Sequence, residues 1–176
     1  MSERVALGNL DETRLVDLAQ SLAHAIGTGG IIHLRGDLGA GKTTFARALL
    51  RALGVGERVK SPTYSLIESY EAGDLAVHHL DLYRIADPGE LEWLGLPDLT
   101  RGAHLIVIEW PERAGAALPA ADLVINLAHA GAVREVWAEP LSAKGRRWAL
   151  TLSAGSSSAG MAQAHGDEAA ARRDMR

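Results

Sequence analysis

HLRGDLGAGKTTFARALL, residues 33–50, passes from an apolar run through a glycine-rich joint into a helical pattern. Upstream, GIIHLRG (30–36) is short, apolar and β-branched, the form of a strand buried on both faces. Downstream, Phe45, Ala48, Leu49, Ala52 and Leu53 lie at helical spacing, predicting a helix over Lys42 to Leu53 with Gly54 as its stop. Between the two, Gly36 through Thr43 fit G-x-x-x-x-G-K-[ST] at every fixed position. Glycines allow backbone angles that turn successive N–H groups toward one anion, and the helix N-terminus adds partial positive charge. Lys42 would meet the β- and γ-phosphates, and the Thr43 hydroxyl would be a magnesium ligand. The joint therefore predicts a site for a nucleoside triphosphate with magnesium.

Outward from this joint, Asp11 to Ile26 reads as an amphipathic helix. Leu15, Leu18, Ala19, Leu22, Ala23 and Ile26 share one face. The run TYSLIESYEAGDLAVHHLDLY predicts two extended segments around a turn at Glu71 to Asp74. DPGE (87–90) has the form of a helix start, with Asp as N-cap, Pro next and Glu at the third position. HLIVIEW predicts a second strongly buried strand, and DLVINL and REVWAE are weaker strand candidates. From Ser153 the chain turns to SAGSSSAGMAQAHGDEAAARRDMR, which offers too little apolar surface to offset its ordering entropy. The expected organisation is one domain over 1–152 and a disordered tail over 153–176.

Composition narrows the function. The 176 residues are 47% hydrophobic and 23% charged, enough for one sizeable core. A formal net charge of −4 argues against a general nucleic-acid backbone binder. The absence of cysteine removes disulfides, thiolate chemistry and Cys-ligated zinc. MSERVALGNLDE lacks the basic start and apolar run of a secretory leader. No apolar stretch reaches the ~20 residues that span a bilayer, so the expectation is a cytoplasmic protein without membrane contact.

A phosphate loop needs an acid from a second strand to hold the magnesium shell or orient water. Two candidates stand at strand ends: Glu109, closing LIVIE, and Asp81, closing VHHLD. His78 and His79 are adjacent, so on a strand they point to opposite faces and do not share a metal; one packed and one solvated ring is the favoured reading. KSPTYS (60–65) lies about twenty residues past Lys42 and carries Thr63, which could sense a γ-phosphate as switch loops do.

GDLGAGKTT, KSPTYSL, HLDLYR and IEWPER, in this order and spacing, resemble the TsaE (YjeE-like) family over roughly residues 5 to 150. That family comprises small bacterial ATPases required for threonylcarbamoyladenosine in tRNA. The resemblance implies an α/β, P-loop NTPase-like three-layer domain with a mixed, mainly parallel sheet. It implies that Gly39, Ala40, Gly41, Lys42, Thr43 and Thr44 bind the ATP phosphates, and that Thr43 and Glu109 ligate magnesium. It further implies that Asp81 is a catalytic acid near the γ-phosphate, that Thr63 belongs to a switch-like loop, and that Thr13 lies near the base. The partners it implies are a threonylcarbamoyl-transferase subunit and its inactive-homologue companion, with tRNA contacted only indirectly.

Other classes fit parts of the pattern. A small-molecule kinase shares the phosphate loop but usually needs an arginine-rich lid, and TRG and PERAG offer only scattered arginines. A guanine-nucleotide switch needs a base-reading N-K-x-D, which does not occur. A non-hydrolysing ATP sensor fits the same residues as an ATPase.

Overall fold

The strand expected at GIIHLRG forms as β2 (Gly29–Gly36) and occupies the middle of a seven-stranded sheet. The computed structural model describes residues 3–56, 59–62 and 64–156. Around β2 the chain supplies β1 (Val5–Leu10), β3 (Ile67–Ala72), β4 (Leu75–Asp81), β5 (His104–Glu109), β6 (Leu123–Ala130) and β7 (Val133–Pro140). Their order across the sheet is β1-β7-β6-β2-β5-β4-β3. Among the described residues, β2 pairs in parallel with β5 and β6, and β5 with β4. The flanking ladders β1–β7, β6–β7 and β3–β4 are antiparallel. The sheet is thus mixed as expected, but it is parallel only at its centre; "mainly parallel" overstates it.

The central strands are apolar on both faces because both faces are covered. Ile32 and Leu34 face a core shared with Val107 of β5, Ile125 of β6 and the helices α1 (Glu12–Ala23) and α2 (Lys42–Ala52). Ile31, Ile106 and Ile108 alternate to the other side, where Leu91 and Leu96 pack on them. That second covering layer is slight. DPGE does start a capped turn, with Asp87 and Glu90 forming a capping box, but the turn continues as a 3-10 helix (Pro88–Leu94). It leads into the single-turn α3 (Leu96–Leu99). The three-layer expectation holds with full helices on one face and mostly 3-10 turns on the other.

Two elements were not expected. β1 falls in VALGNL, where a bulge between Ala6 and Gly8 shifts the register against β7. The bulge puts both Leu7 and Leu10 in the core, three apart, which breaks the alternation by which a strand is read. A fourth helix, α4, covers residues 143–156 and so crosses the boundary expected at 152. Its Trp148, Ala149 and Leu152 are buried beside α1 and α2. The Trp148 indole N–H donates to the Ala25 carbonyl at 2.9 Å. Gly30 is required beneath it: a Cβ there would stand 2.8 Å from the indole. The remainder of the expected tail, residues 157–176, lies outside the described residues.

Trp148→Ala should lower unfolding stability by about 3–5 kcal/mol, the usual cost of emptying a large aromatic site. Urea unfolding measures it; a loss below about 1 kcal/mol would show that α4 is dispensable to the core.

His33, on the sheet face opposite α2, is 8% exposed, and burial, with the Arg35 charge second, lowers its pKa from 6.5 to about 4. The Pro119 carbonyl pulls the other way. The unfolded chain therefore binds the extra proton first. His33's contribution to stability is complete above pH 6.5 and is lost as pH falls toward 4, about 3 kcal/mol in all. Comparing wild type with His33→Gln at pH 7 and pH 4 should reveal a difference of that size; parallel pH profiles would refute it.

Candidate functional site

Parallel register sets the geometry of one sheet edge. Leu34 of β2 and Asp81 of β4 both pair with Glu109 of β5, so the carboxyl ends of three strands finish side by side. Such ends form the ligand crevice of open α/β sheets. β2 runs through residues 37–41 into α2, and Gly41 caps that helix with φ 109°. This left-handed angle suits glycine, and a Cβ at Gly41 would also stand 2.8 Å from Leu15 and 3.1 Å from the Arg134 Nε.

Lys42 is 4% exposed and folds across its own loop. Its Nζ donates to the Gly36 carbonyl at 2.6 Å and the Asp37 carbonyl at 2.8 Å. The ammonium also lies 3.9 Å from the centre of the Trp110 ring. Trp110 follows Glu109 directly and takes φ 58°, a left-handed angle that turns the chain out of the strand. Burial lowers the Lys42 pKa, and the Glu109, Glu112, Asp81 and Asp37 charges oppose that shift.

Glu109 is 1% exposed, and both its oxygens are engaged. The Thr43 hydroxyl donates to Oε2 at 2.8 Å, joining α2 to β5. The other oxygen, Oε1, faces the His79 Nε2 at 2.8 Å. Asp81 stands beside them and accepts the Tyr83 backbone N–H at 3.1 Å. Burial raises the Asp81 pKa; the Tyr83 hydrogen bond opposes that, and the Glu109 charge adds to it.

Gly39, Gly41, Lys42, Thr43, Thr44, Asp81 and Glu109 line one cleft of about 470 Å³. This lies within the roughly 300–1,000 Å³ of small-ligand sites. Ala40 is buried behind the loop, its carbonyl accepting the Arg134 Nε at 3.0 Å. Thr13 is exposed in the first turn of α1 and does not line the cleft, although its neighbour Glu12 does. Thr63 lies outside the described residues. The two histidines separate as adjacent strand residues must: His79 turns to Glu109, and His78 pairs with the Ser69 hydroxyl at 2.8 Å.

Sequence reasoning missed Arg134, Trp110 and Tyr83, which also line the cleft. Tyr83 and Trp110 pack with ring centres 4.9 Å apart. Both occur in the motifs HLDLYR and IEWPER, so a signal existed; Arg134 carried none. Among the described residues no three His, Cys, Asp or Glu side chains are grouped to hold a metal by themselves. Thr43, Glu109 and Asp81 instead offer oxygens, the donors that suit a hard divalent cation shared with a phosphate ligand. Also among the described residues, no helix is long and apolar enough to cross a membrane.

The fold resembles the crystal structure of YdiB from Bacillus subtilis, with a TM-score of 0.72 and 28% identity over 87% of this chain and 96% of that one. The tRNA threonylcarbamoyladenosine biosynthesis protein TsaE of Haemophilus influenzae is 45% identical over 97 residues, 55% of this chain and 61% of that protein. The Bacillus subtilis protein of the same name is 37% identical over 123 residues, 70% of this chain and 75% of its own length. A family profile described as threonylcarbamoyl adenosine biosynthesis protein TsaE matches residues 10–136, which include the loop, both acids and Arg134. The chain belongs to the TsaE family.

Proposed function

We propose that the chain is a P-loop ATPase that binds ATP with Mg²⁺ and serves threonylcarbamoyladenosine formation in tRNA. It would act through a threonylcarbamoyl-transferase subunit and its inactive-homologue companion, touching tRNA only indirectly, in the cytoplasm. The observation that carries the reading is the Thr43–Glu109 hydrogen bond. It joins the hydroxyl that follows the loop lysine to a buried strand-end carboxylate 66 residues away. That pair supports a site for a triphosphate with a divalent cation.

Each side chain then has a task. The backbone N–H groups of Gly39 and of Gly41 to Thr44, at the start of α2, cradle phosphate oxygens, while the Ala40 N–H is taken by the Asp37 carbonyl. Lys42 exchanges the Gly36 and Asp37 carbonyls for β- and γ-phosphate oxygens, a charge-assisted contact. Thr43 and Glu109 would hold the magnesium ion, directly or through water, and the chemistry it would supply there is neutralisation of charge on the phosphates. Asp81, its Oδ1 fixed by the Tyr83 amide, orients the attacking water. Thr63 keeps the γ-phosphate-sensing task that the family resemblance implies, and α1, where Thr13 lies, would border the base side.

Lys42→Ala should weaken binding of a non-hydrolysable ATP analogue by roughly 1.5–3 kcal/mol, the worth of a hydrogen bond to a charged group. Calorimetric titration measures it; unchanged affinity would remove the nucleotide assignment.

The two acids should separate. Glu109→Gln should weaken Mg²⁺-dependent ATP affinity and turnover together, while Asp81→Asn should keep most affinity and lose mainly turnover. ATP affinity and phosphate release, with the two partner proteins present, distinguish them. A reversed pattern would exchange their roles. Release of no phosphate by wild type under any condition would favour the ATP sensor, and phosphorylated small acceptors would favour a kinase.

A further inference from the structure

His79 has no part in the mechanism above, yet it is among the most deeply buried polar side chains described, with its ring and the Glu109 carboxylate 0% and 2% exposed. It sits two residues before Asp81 on β4, paired across the sheet with Val107, and its side chain lies on the face that α2 covers. From there Nε2 reaches Glu109 Oε1 at 2.8 Å, from the interior side of the carboxylate. An ionised carboxylate only accepts hydrogen bonds, so Nε2 is the ring atom that carries the hydrogen. Nδ1 then has no hydrogen-bond partner among the described residues. A position selected for packing alone is better filled by an apolar side chain than by a ring with one orphaned nitrogen.

We infer that His79 is a positioning residue, whose Nε2–H keeps the Glu109 carboxylate aimed into the cleft. The inference rests on reading Thr43 and Glu109 as the magnesium-binding pair. The need for such a residue follows from the geometry. Glu109 is gripped by Thr43 from the cleft side and by His79 from the core side. A hydroxyl that met a metal through a lone pair would keep its O–H for Oε2, so Thr43 and His79 would hold one carboxylate oxygen each. Of the two, His79 is the anchor that cannot follow the ligand, because it is enclosed. Partners of this kind, one shell out from a metal, typically set affinity by about 10–100-fold.

The test uses the full chain, ADP and Mn²⁺ as a paramagnetic substitute for magnesium. His79→Leu removes the donor while keeping an apolar core. It should bind ADP in EDTA within about twofold of wild type and lose about 10–100-fold in Mn²⁺ affinity at saturating ADP. His79→Gln, whose amide N–H can occupy the place of Nε2–H, should recover most of that loss. Mn²⁺ affinity within about threefold of wild type in His79→Leu overturns the inference. So does a parallel fall in metal-free ADP affinity, which marks a merely structural role. If His79→Leu does not fold, His79→Gln is compared with His79→Asn, whose amide is one carbon short. Glutamine should retain the metal and asparagine should not, and equal affinities overturn the proposal. Wild type whose nucleotide binding gains nothing from Mn²⁺ overturns the magnesium reading itself, and this inference with it.

Discussion

A carboxylate held almost out of water at the end of a buried strand is the constraint around which this molecule is arranged. Glu109 loses its hydration on folding, and such a loss is tolerable only where hydrogen-bond donors replace water. One donor is the hydroxyl that opens α2 and the other is a ring on the neighbouring strand. To supply both, β4 and β5 must run in parallel and in the observed register, and α2 must start directly above the end of β2. Were β4 to slip by one residue, His78 would replace His79 on that face and Glu109 would lose its inner partner.

The core exists to hold that register. β2 and β5 are apolar on both faces, so any slip still finds hydrophobic neighbours and burial alone specifies it weakly. The polar ties are more selective. Ile31 N–H donates to Asp122 at 2.9 Å, Ser142 donates to the other oxygen of the same carboxylate, and the Trp110 N–H reaches the Leu34 carbonyl. Each ties a strand end to a different segment, and together they leave few alternative alignments. α4 closes the same side of the sheet, its indole covering the bare backbone at Gly30.

Charge in the cleft is arranged with equal economy. Lys42 is desolvated, but two carbonyls of its own loop and the face of Trp110 receive its charge. These contacts satisfy the ammonium within its own loop. Asp81 has one backbone amide as donor, which only partly opposes the rise in its carboxyl pKa that burial causes. Of the charged side chains that line the cleft, Lys42 is thus committed to the loop, while Asp81 keeps a single backbone donor.

Much of this was legible in the residues. The glycine loop, the strand before it and the helix after it are local patterns, decided by backbone freedom and periodicity over eighteen consecutive residues. The two acids were legible because buried strands that end in a carboxylate are conspicuous. Other features depend on contacts between distant residues. β1 was hidden by a bulge that only pairing with β7 explains, and the helical face of α4 was obscured by the polar composition just beyond it. Arg134 reaches the loop only because β7 folds back antiparallel beside β6, bringing together positions 94 apart. In HHLD, alternation alone assigns the two rings to opposite faces. Which ring meets Glu109 was decided by the register of β4 against β5, because a hydrogen bond between residues 30 apart has no local signature.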